Sequence, residues 1–263
     1  PVPPPLAVCA PDGADFSAVT VGAKGTNVGT YPAQFQEGTV GTVDATEKYI
    51  VAEAKDGLLT ITPIGGIVVT ITGNTETVTY DGDEHTATGY TFTTKNPLYT
   101  EKDFTFTGDA TAKGTDAGSY LMHLDASQFQ NTNKNFKSVT FIVEQDGQLT
   151  ITPRSVKLTS ATDEKVYDGQ PLTNGVVTVS GDGFVKGEGA AYNVTGSQTN
   201  AGSSDNTFTY TLNPGTKAGN YAIEQKEGTL TVTPVTAEVT VTITGNNGSM
   251  GYDGNEHSVT GYK

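Results

Sequence analysis

Leu59-Thr60-Ile61-Thr62-Pro63 recurs as Leu149-Thr150-Ile151-Thr152-Pro153 and again as Leu230-Thr231-Val232-Thr233-Pro234. Apolar residues alternate with threonine, the period-two pattern of a strand with one face on a core. The proline that follows has no N–H, so it ends the strand and holds the preceding residue extended. A second motif keeps step with the first. Tyr80-Asp81-Gly82 returns after 87 residues as Tyr167-Asp168-Gly169, and after a further 85 as Tyr252-Asp253-Gly254. A fixed internal period decides architecture before any single residue does, and this one predicts a tandem array of small β-rich domains. Repeats of 81 to 90 residues can each hold one modest core without disulfides or metals.

The copies fall into two types. Residues 67–90 return at 239–262, with a constant offset of 172 from Val69/Val241 to Tyr90/Tyr262. The repeat between them keeps only the skeleton of motifs. Ala23-Lys24-Gly25-Thr26-Asn27-Val28-Gly29-Thr30-Tyr31 aligns with Ala112-Lys113-Gly114-Thr115-Asp116-Ala117-Gly118-Ser119-Tyr120. The chain therefore reads as four segments. Residues 1–63 are the C-terminal part of an incomplete type-A repeat, 64–153 a complete type-A repeat, 154–234 a complete type-B repeat, and 235–263 the N-terminal part of a further type-A repeat. An arbitrary cut through a longer array is expected to have this order. The sharper reading is head-to-tail self-association, with 235–263 of one molecule completing 1–63 of the next.

Strand patterning is regular. Ile67, Val69 and Ile71 alternate with Val68, Thr70 and Thr72, and Phe208, Tyr210 and Leu212 with Thr207, Thr209 and Thr211. Alternation with threonine outward predicts antiparallel strands over one core. In the type-B repeat it predicts strands at 154–159, 164–167, 173–179, 190–196, 206–212, 219–225 and 228–233, spaced as in a sandwich. The expected fold is all-β, a tandem array of small antiparallel Ig-like β-sandwich domains, with β-grasp-like sheets as the alternative. One helical turn is expected at 125–129, capped by Asp125 or Ser127. The junction prolines are Pro63, Pro153 and Pro234. Arg154-Ser155 leads almost directly into the next strand and predicts a stiff joint, whereas Ile64-Gly65-Gly66 predicts one that bends.

Composition narrows the functions. A formal net charge of −14 makes nucleic acid a poor partner, because phosphate binding needs clustered Lys and Arg. Cys9 is the single cysteine, so no disulfide forms within the chain. No apolar run approaches about 18 residues, which argues against membrane insertion.

Candidate sites resolve mostly into structure. Asp-Gly in each Tyr-Asp-Gly motif supplies the positive φ that tight turns require, and the tyrosine ring is expected against the sheet. A calcium loop would repeat its carboxylates in every copy, yet Gln170 and Pro171 stand where the type-A repeat has Asp83 and Glu84. His85 and His257 share a position occupied by Leu172 in the type-B repeat, which reads as a packing position. His123 falls in an apolar strand pattern. Gly29, Gly118 and Gly202, in Asn27-Val28-Gly29-Thr30, Asp116-Ala117-Gly118-Ser119 and Asn200-Ala201-Gly202-Ser203, are expected at turns needing positive φ or close approach. No nucleophile–base set and no phosphate loop can be assembled, so neither catalytic, cofactor nor metal residues are assigned. Lys157 alternates with Val156 and Leu158 and should face solvent, which disfavours a Lys–Asn crosslink.

Tyr-Asp-Gly early in the repeat, [DN]-[AV]-G-[ST] in the middle and LT[IV]TP at its end together resemble the MBG and YDG repeat families of bacterial, often Gram-positive, cell-surface adhesins. The resemblance covers essentially the whole chain. It implies an extracellular protein, attached to the cell wall through regions outside this segment, with arrays acting as adhesin or stalk and no catalytic residues or cofactors. It leaves two roles: a spacer presenting a distal binding region, or repeats that themselves bind host glycoprotein or glycan. The lack of Trp favours the spacer, since sugar sites present exposed aromatics.

Overall fold

The computed structural model describes residues 13–15, 17–51 and 53–263, so Cys9 lies outside the described residues. The chain divides into two compact units, Pro1–Thr152 and Pro153–Lys263. In the first, β1 (Val21–Gly22), β2 (Gly29–Phe35) and β3 (Gly57–Ile61) form an antiparallel sheet in that order. Then follow β4 (Ile67–Gly73), β5 (Thr75–Thr79), β6 (His85–Thr88), β7 (Tyr90–Thr94) and β8 (Phe104–Phe106). The remaining strands of this unit are β9 (Thr111–Gly114), β10 (Gly118–Leu121), β11 (Phe129–Asn131), β12 (Val139–Gln145) and β13 (Gln148–Thr152).

Two three-stranded sheets, β12-β4-β7 and β10-β13-β5, carry the core of residues 67–152, with β6–β9 and β8–β11 as two-stranded pairs. The period-two pattern has the physical consequence expected of it. Ile67, Val69 and Ile71 of β4 are buried, as are Leu149 and Ile151 of β13, while Val68 and Ile142 on the opposite faces are exposed. Aromatic rings fill the space beside these aliphatics. Phe104 meets Phe92 and Phe141 edge-on at centroid distances of 5.3 and 5.4 Å, and Tyr90 meets Phe129 at 5.1 Å, the geometry that ring quadrupoles favour.

The second unit contains β14 (Arg154–Ser160), β15 (Asp163–Val166), β16 (Val177–Gly181), β17 (Ala190–Val194), β18 (Gly202–Asn206), β19 (Phe208–Leu212), β20 (Tyr221–Lys226) and β21 (Gly228–Thr233). Its sheets are β16-β14-β20, β15-β21-β18 and β17-β19. Val156, Leu158, Leu230 and Val232 are the buried counterparts of the first unit's aliphatics. Lys157, between two fully buried neighbours, points outward and reaches Glu224 Oε1 at 2.9 Å.

The protein is all-β and consistent with the sandwich expectation. The helix of a β-grasp fold has no counterpart, because helices among the described residues are three-residue 3-10 turns. One of these, Ala126–Gln128, stands where a turn was expected, with Asp125 accepting from the Ser127 N–H as its cap. Most strand pairs are antiparallel, but alternation alone did not reveal where parallel pairing enters. β4 runs parallel to β12 and β5 to β13, and likewise β14 to β20 and β15 to β21. The first two strands of each repeat are thus bonded to its last two.

Three local expectations are corrected. His123 is not a strand residue: its φ is +58° and its side chain is exposed. Asp146 accepts from the backbone N–H groups of His123 and Leu124, which bends the chain out of β10. In the second unit, residues 173–176 are loop, and the strand begins at Val177. The Ile64-Gly65-Gly66 link is also less free than its glycines imply. The Ile64 N–H donates to Asn135 O at 2.9 Å and the Lys137 N–H to Ile64 O at 2.7 Å. Asn135 also accepts from the Val28 N–H through Oδ1 at 2.6 Å and donates through Nδ2 to Asn27 Oδ1 at 2.9 Å. One asparagine therefore holds the Asn27-Val28 turn beside the link.

Candidate functional site: the sheet that carries the motifs

The recurring motifs are neighbours in space. In β10-β13-β5, Gly118 pairs with Ile151 and Tyr120 with Leu149 on one side of the LTITP strand, and Thr79 pairs with Thr152 on the other. In β18-β21-β15, Gly202 pairs with Val232, Ser204 with Leu230, and Val166 with Thr233. β2–β3 repeats the first of these registers, Gly29 opposite Ile61 and Tyr31 opposite Leu59. The LT[IV]TP strand is central in both complete copies, with the glycine motif on its antiparallel edge and Tyr-Asp-Gly leaving its parallel edge. The chain leaves the ladder immediately, at Pro153 after β13 and Pro234 after β21. Pro63 stands two residues beyond β3.

The parallel edge is closed in the same way twice. The Tyr80 N–H donates to Thr152 O at 2.9 Å, and the Tyr167 N–H to Thr233 O at 2.8 Å. Thr152 Oγ1 donates to Val78 O at 3.1 Å, and Thr233 Oγ1 to Lys165 O at 3.3 Å. The terminal threonine thus satisfies a neighbouring carbonyl where proline can contribute no donor.

Each Tyr-Asp-Gly forms one local turn. Asp81 Oδ1 accepts from the Asp83 N–H, Asp168 Oδ1 from the Gln170 N–H and Asp253 Oδ1 from the Asn255 N–H, at 3.0, 2.9 and 3.0 Å. Gly82, Gly169 and Gly254 follow with φ of +89°, +78° and +80°. A side-chain oxygen thereby mimics a backbone turn acceptor, with glycine in the conformation other residues avoid. The tyrosines differ. Tyr80 is buried, whereas Tyr167 is 42% and Tyr252 99% exposed, so the ring lies in the core only in the first copy. Tyr167 instead borders a small recess with Asn200, Ala201 and Pro234.

The histidines correct another expectation. Leu172 packs with Leu230 and Val232, but His85, at the matching position, turns Nε2 to Asp81 Oδ1 at 2.9 Å. His257 does the same with Asp253. Where leucine takes the position, Lys165 supplies the cation from three residues upstream, with Nζ 2.7 Å from Asp168 Oδ1. The turn aspartate therefore has a basic partner in all three copies. The His85 hydrogen bond holds the Asp81 carboxyl below the ordinary carboxylate range, and the Lys165 hydrogen bond does so for Asp168.

Sequence reasoning also missed why the glycine motif carries a tyrosine. The Tyr120 hydroxyl donates to Asp116 O at 2.9 Å and the Tyr31 hydroxyl to Asn27 O at 2.7 Å. In both copies the ring lies over a glycine six residues back, so that a Cβ on Gly114 or Gly25 would overlap it. The type-B repeat changes both ends of this contact together. Ser204 replaces the tyrosine and Gln198 the glycine, and Gln198 Nε2 now donates to Asn200 O, the matching carbonyl, at 2.7 Å. The signal was present in Gly25…Tyr31 and Gly114…Tyr120, two further identities within the aligned segments.

Gly118 itself is corrected. It is an extended residue of β10 with no positive φ, and a Cβ there would meet nothing nearer than Tyr120 at 3.9 Å. Gly202 has φ of +139°, and Gly29, at +158°, is close to extended. Asp44 was also missed. It is buried, and its carboxylate accepts from the backbone N–H groups of Asp15, Thr46, Lys48 and Tyr49. Burial opposes the charge, but these bonds outweigh it and push the carboxyl well below its ordinary value.

Among the described residues no group of three or more His, Cys, Asp and Glu is placed to hold a metal ion. A groove of about 810 Å³ opens on residues 64–97, with Val68, Thr93, Lys95, Asn96 and Pro97 along it and no aromatic lining. No helix among the described residues is long and apolar enough to cross a membrane.

An all-β repeat whose recurring residues form a single sheet is thus the class defined by fold and site. Residues 67–153 match the family model of the MBG domain. MBG domains occur in bacterial surface proteins of the adhesin type, as structural repeats not known as enzymes. No curated protein and no solved structure matches the chain.

Two outcomes are expected. Gly114→Ala should destabilise the first unit by about 1–3 kcal/mol, the usual cost of overpacking, while Gly118→Ala stays within about 0.5 kcal/mol. Denaturant titration followed by circular dichroism reads both. Folding lowers the Asp168 carboxyl, so its contribution to stability is complete above the ordinary value of about 4 and lost as pH falls through the depressed one. Asp168→Asn should therefore flatten the acid limb of the second unit's stability profile, read from amide signals between pH 5 and pH 2.

Proposed function

We propose that this chain is a stalk segment of a bacterial surface protein, extracellular and fixed to the cell wall through other regions, which presents a distal binding region. The observation that carries the reading is the common use of the repeated residues. Tyr-Asp-Gly, the glycine motif and LT[IV]TP are bonded to one another in the same sheet, and a site conserved for a ligand would leave some of its recurring residues facing outward. The groove over residues 64–97 supports the same reading, because it lacks the aromatic faces on which sugars stack. The acidic surface keeps neighbouring stalks apart by mutual repulsion.

A binding screen of the purified chain against mucin-type glycoproteins and a glycan array tests this directly. The stalk reading expects no saturable binding. Saturable binding that weakens in Lys95→Ala or Asn96→Ala would replace it with the alternative, in which the repeats themselves recognise host glycoprotein or glycan.

A further inference from the structure

The motif sheet has a lane on either side of its central strand. Beside β13 the parallel lane is filled by β5, and beside β21 by β15. Beside β3 the antiparallel lane is filled by β2 in the same register, but no strand lies in the parallel lane among the described residues. The face of β3 is correspondingly short of cover. Leu59 and Ile61 are half-buried, whereas Leu149, Ile151, Leu230 and Val232 are at most 1% exposed.

Residues 235–263 show the reverse deficit. Val239, Val241 and Ile243 are 78%, 74% and 63% exposed, while Ile67, Val69 and Ile71, their counterparts 172 residues earlier, are 4%, 0% and 0%. Tyr252 is 99% exposed against 4% for Tyr80. The pairing in this segment among the described residues is one bridge, Gly245 to Tyr262. Its turn is nevertheless already formed, with Gly254 at φ +80° and Asp253 bonded to the Asn255 N–H and His257.

We propose that residues 247–251 of one copy add to β3 of a second copy as its parallel third strand. The register is dictated by β5 on β13: Asn247 opposite Leu58 through Gly251 opposite Thr62. The Tyr252 N–H then donates to Thr62 O, as that of Tyr80 does to Thr152 O. Strand addition at a sheet edge supplies main-chain hydrogen bonds, and side-chain fit supplies the specificity. Val239, Val241 and Ile243 provide that fit by covering the face that carries Leu59 and Ile61. Donor and acceptor are different surfaces, so the contact is head-to-tail and propagates into open linear chains. The net charge of −14 opposes association, so salt strengthens it.

Sedimentation of the full chain over a wide concentration range tests this. Linear oligomers that grow with concentration and with salt are expected. Ser249→Pro removes a donor from the added strand at an exposed residue outside any sheet of its own copy, and should weaken association at least tenfold without unfolding either unit. Mixing a Thr60→Cys chain with a Ser249→Cys chain, both carrying Cys9→Ser, should give a disulfide between copies, since residues paired in register lie within bridging range. A strictly monomeric chain overturns the proposal, whether or not the amides of 247–251 are protected from exchange. Oligomers indifferent to Ser249→Pro overturn it as well.

Discussion

Everything in these repeats depends on a five-residue strand that must be paired on both sides at once. β13 and β21 each place two aliphatic side chains in the core at no more than 1% exposure, and each spends both backbone edges in the same segment. One edge holds the strand of the glycine motif, more than twenty residues earlier in the chain. The other holds, in parallel, the strand that enters Tyr-Asp-Gly, close to the start of the repeat. Parallel pairing cannot be made by a hairpin and requires the intervening chain to be folded across. The last strand of each repeat therefore closes the first, and the motifs recur together because they are in contact. β3, paired on one edge alone, shows by its half-buried leucine and isoleucine what the missing lane does to the core.

Much of this was legible in the sequence, and the rest was hidden for physical reasons. β4, β12, β14 and β19 alternate apolar residues with threonine, and burial follows that alternation. β18, by contrast, is Gly-Ser-Ser-Asp-Asn, with no β-branched or aromatic residue. It is a strand because β21 imposes the pairing, so local propensity pointed to a turn. Gly118 misled in the same direction, since its recurrence reflects its place opposite Ile151 and not its backbone angle. The parallel pairs were invisible because alternation gives the face of a strand and not its direction. Gln198 and Ser204 were hidden by substitution: the type-B repeat preserves a hydrogen bond to one carbonyl while changing both residues that make it.

The same economy bears on function. The aspartate of each Tyr-Asp-Gly turn keeps a basic partner even when that partner moves from histidine to lysine, and the terminal threonine keeps its carbonyl. Such residues are retained for geometry. A match to the MBG domain over residues 67–153 agrees with a repeat whose recurring residues serve its own construction. The variable positions, among them the groove residues Lys95 and Asn96, are where copies would differ in what they present.

The dependence of each repeat on its central strand is tested most directly by native-state hydrogen exchange in the residues of β5, β10 and β13. If β13 holds both neighbours, amides in all three strands should open with one common free energy equal to that of global unfolding. A β5 that exchanges through a separate opening several kcal/mol smaller, while β10 and β13 stay protected, would contradict the account.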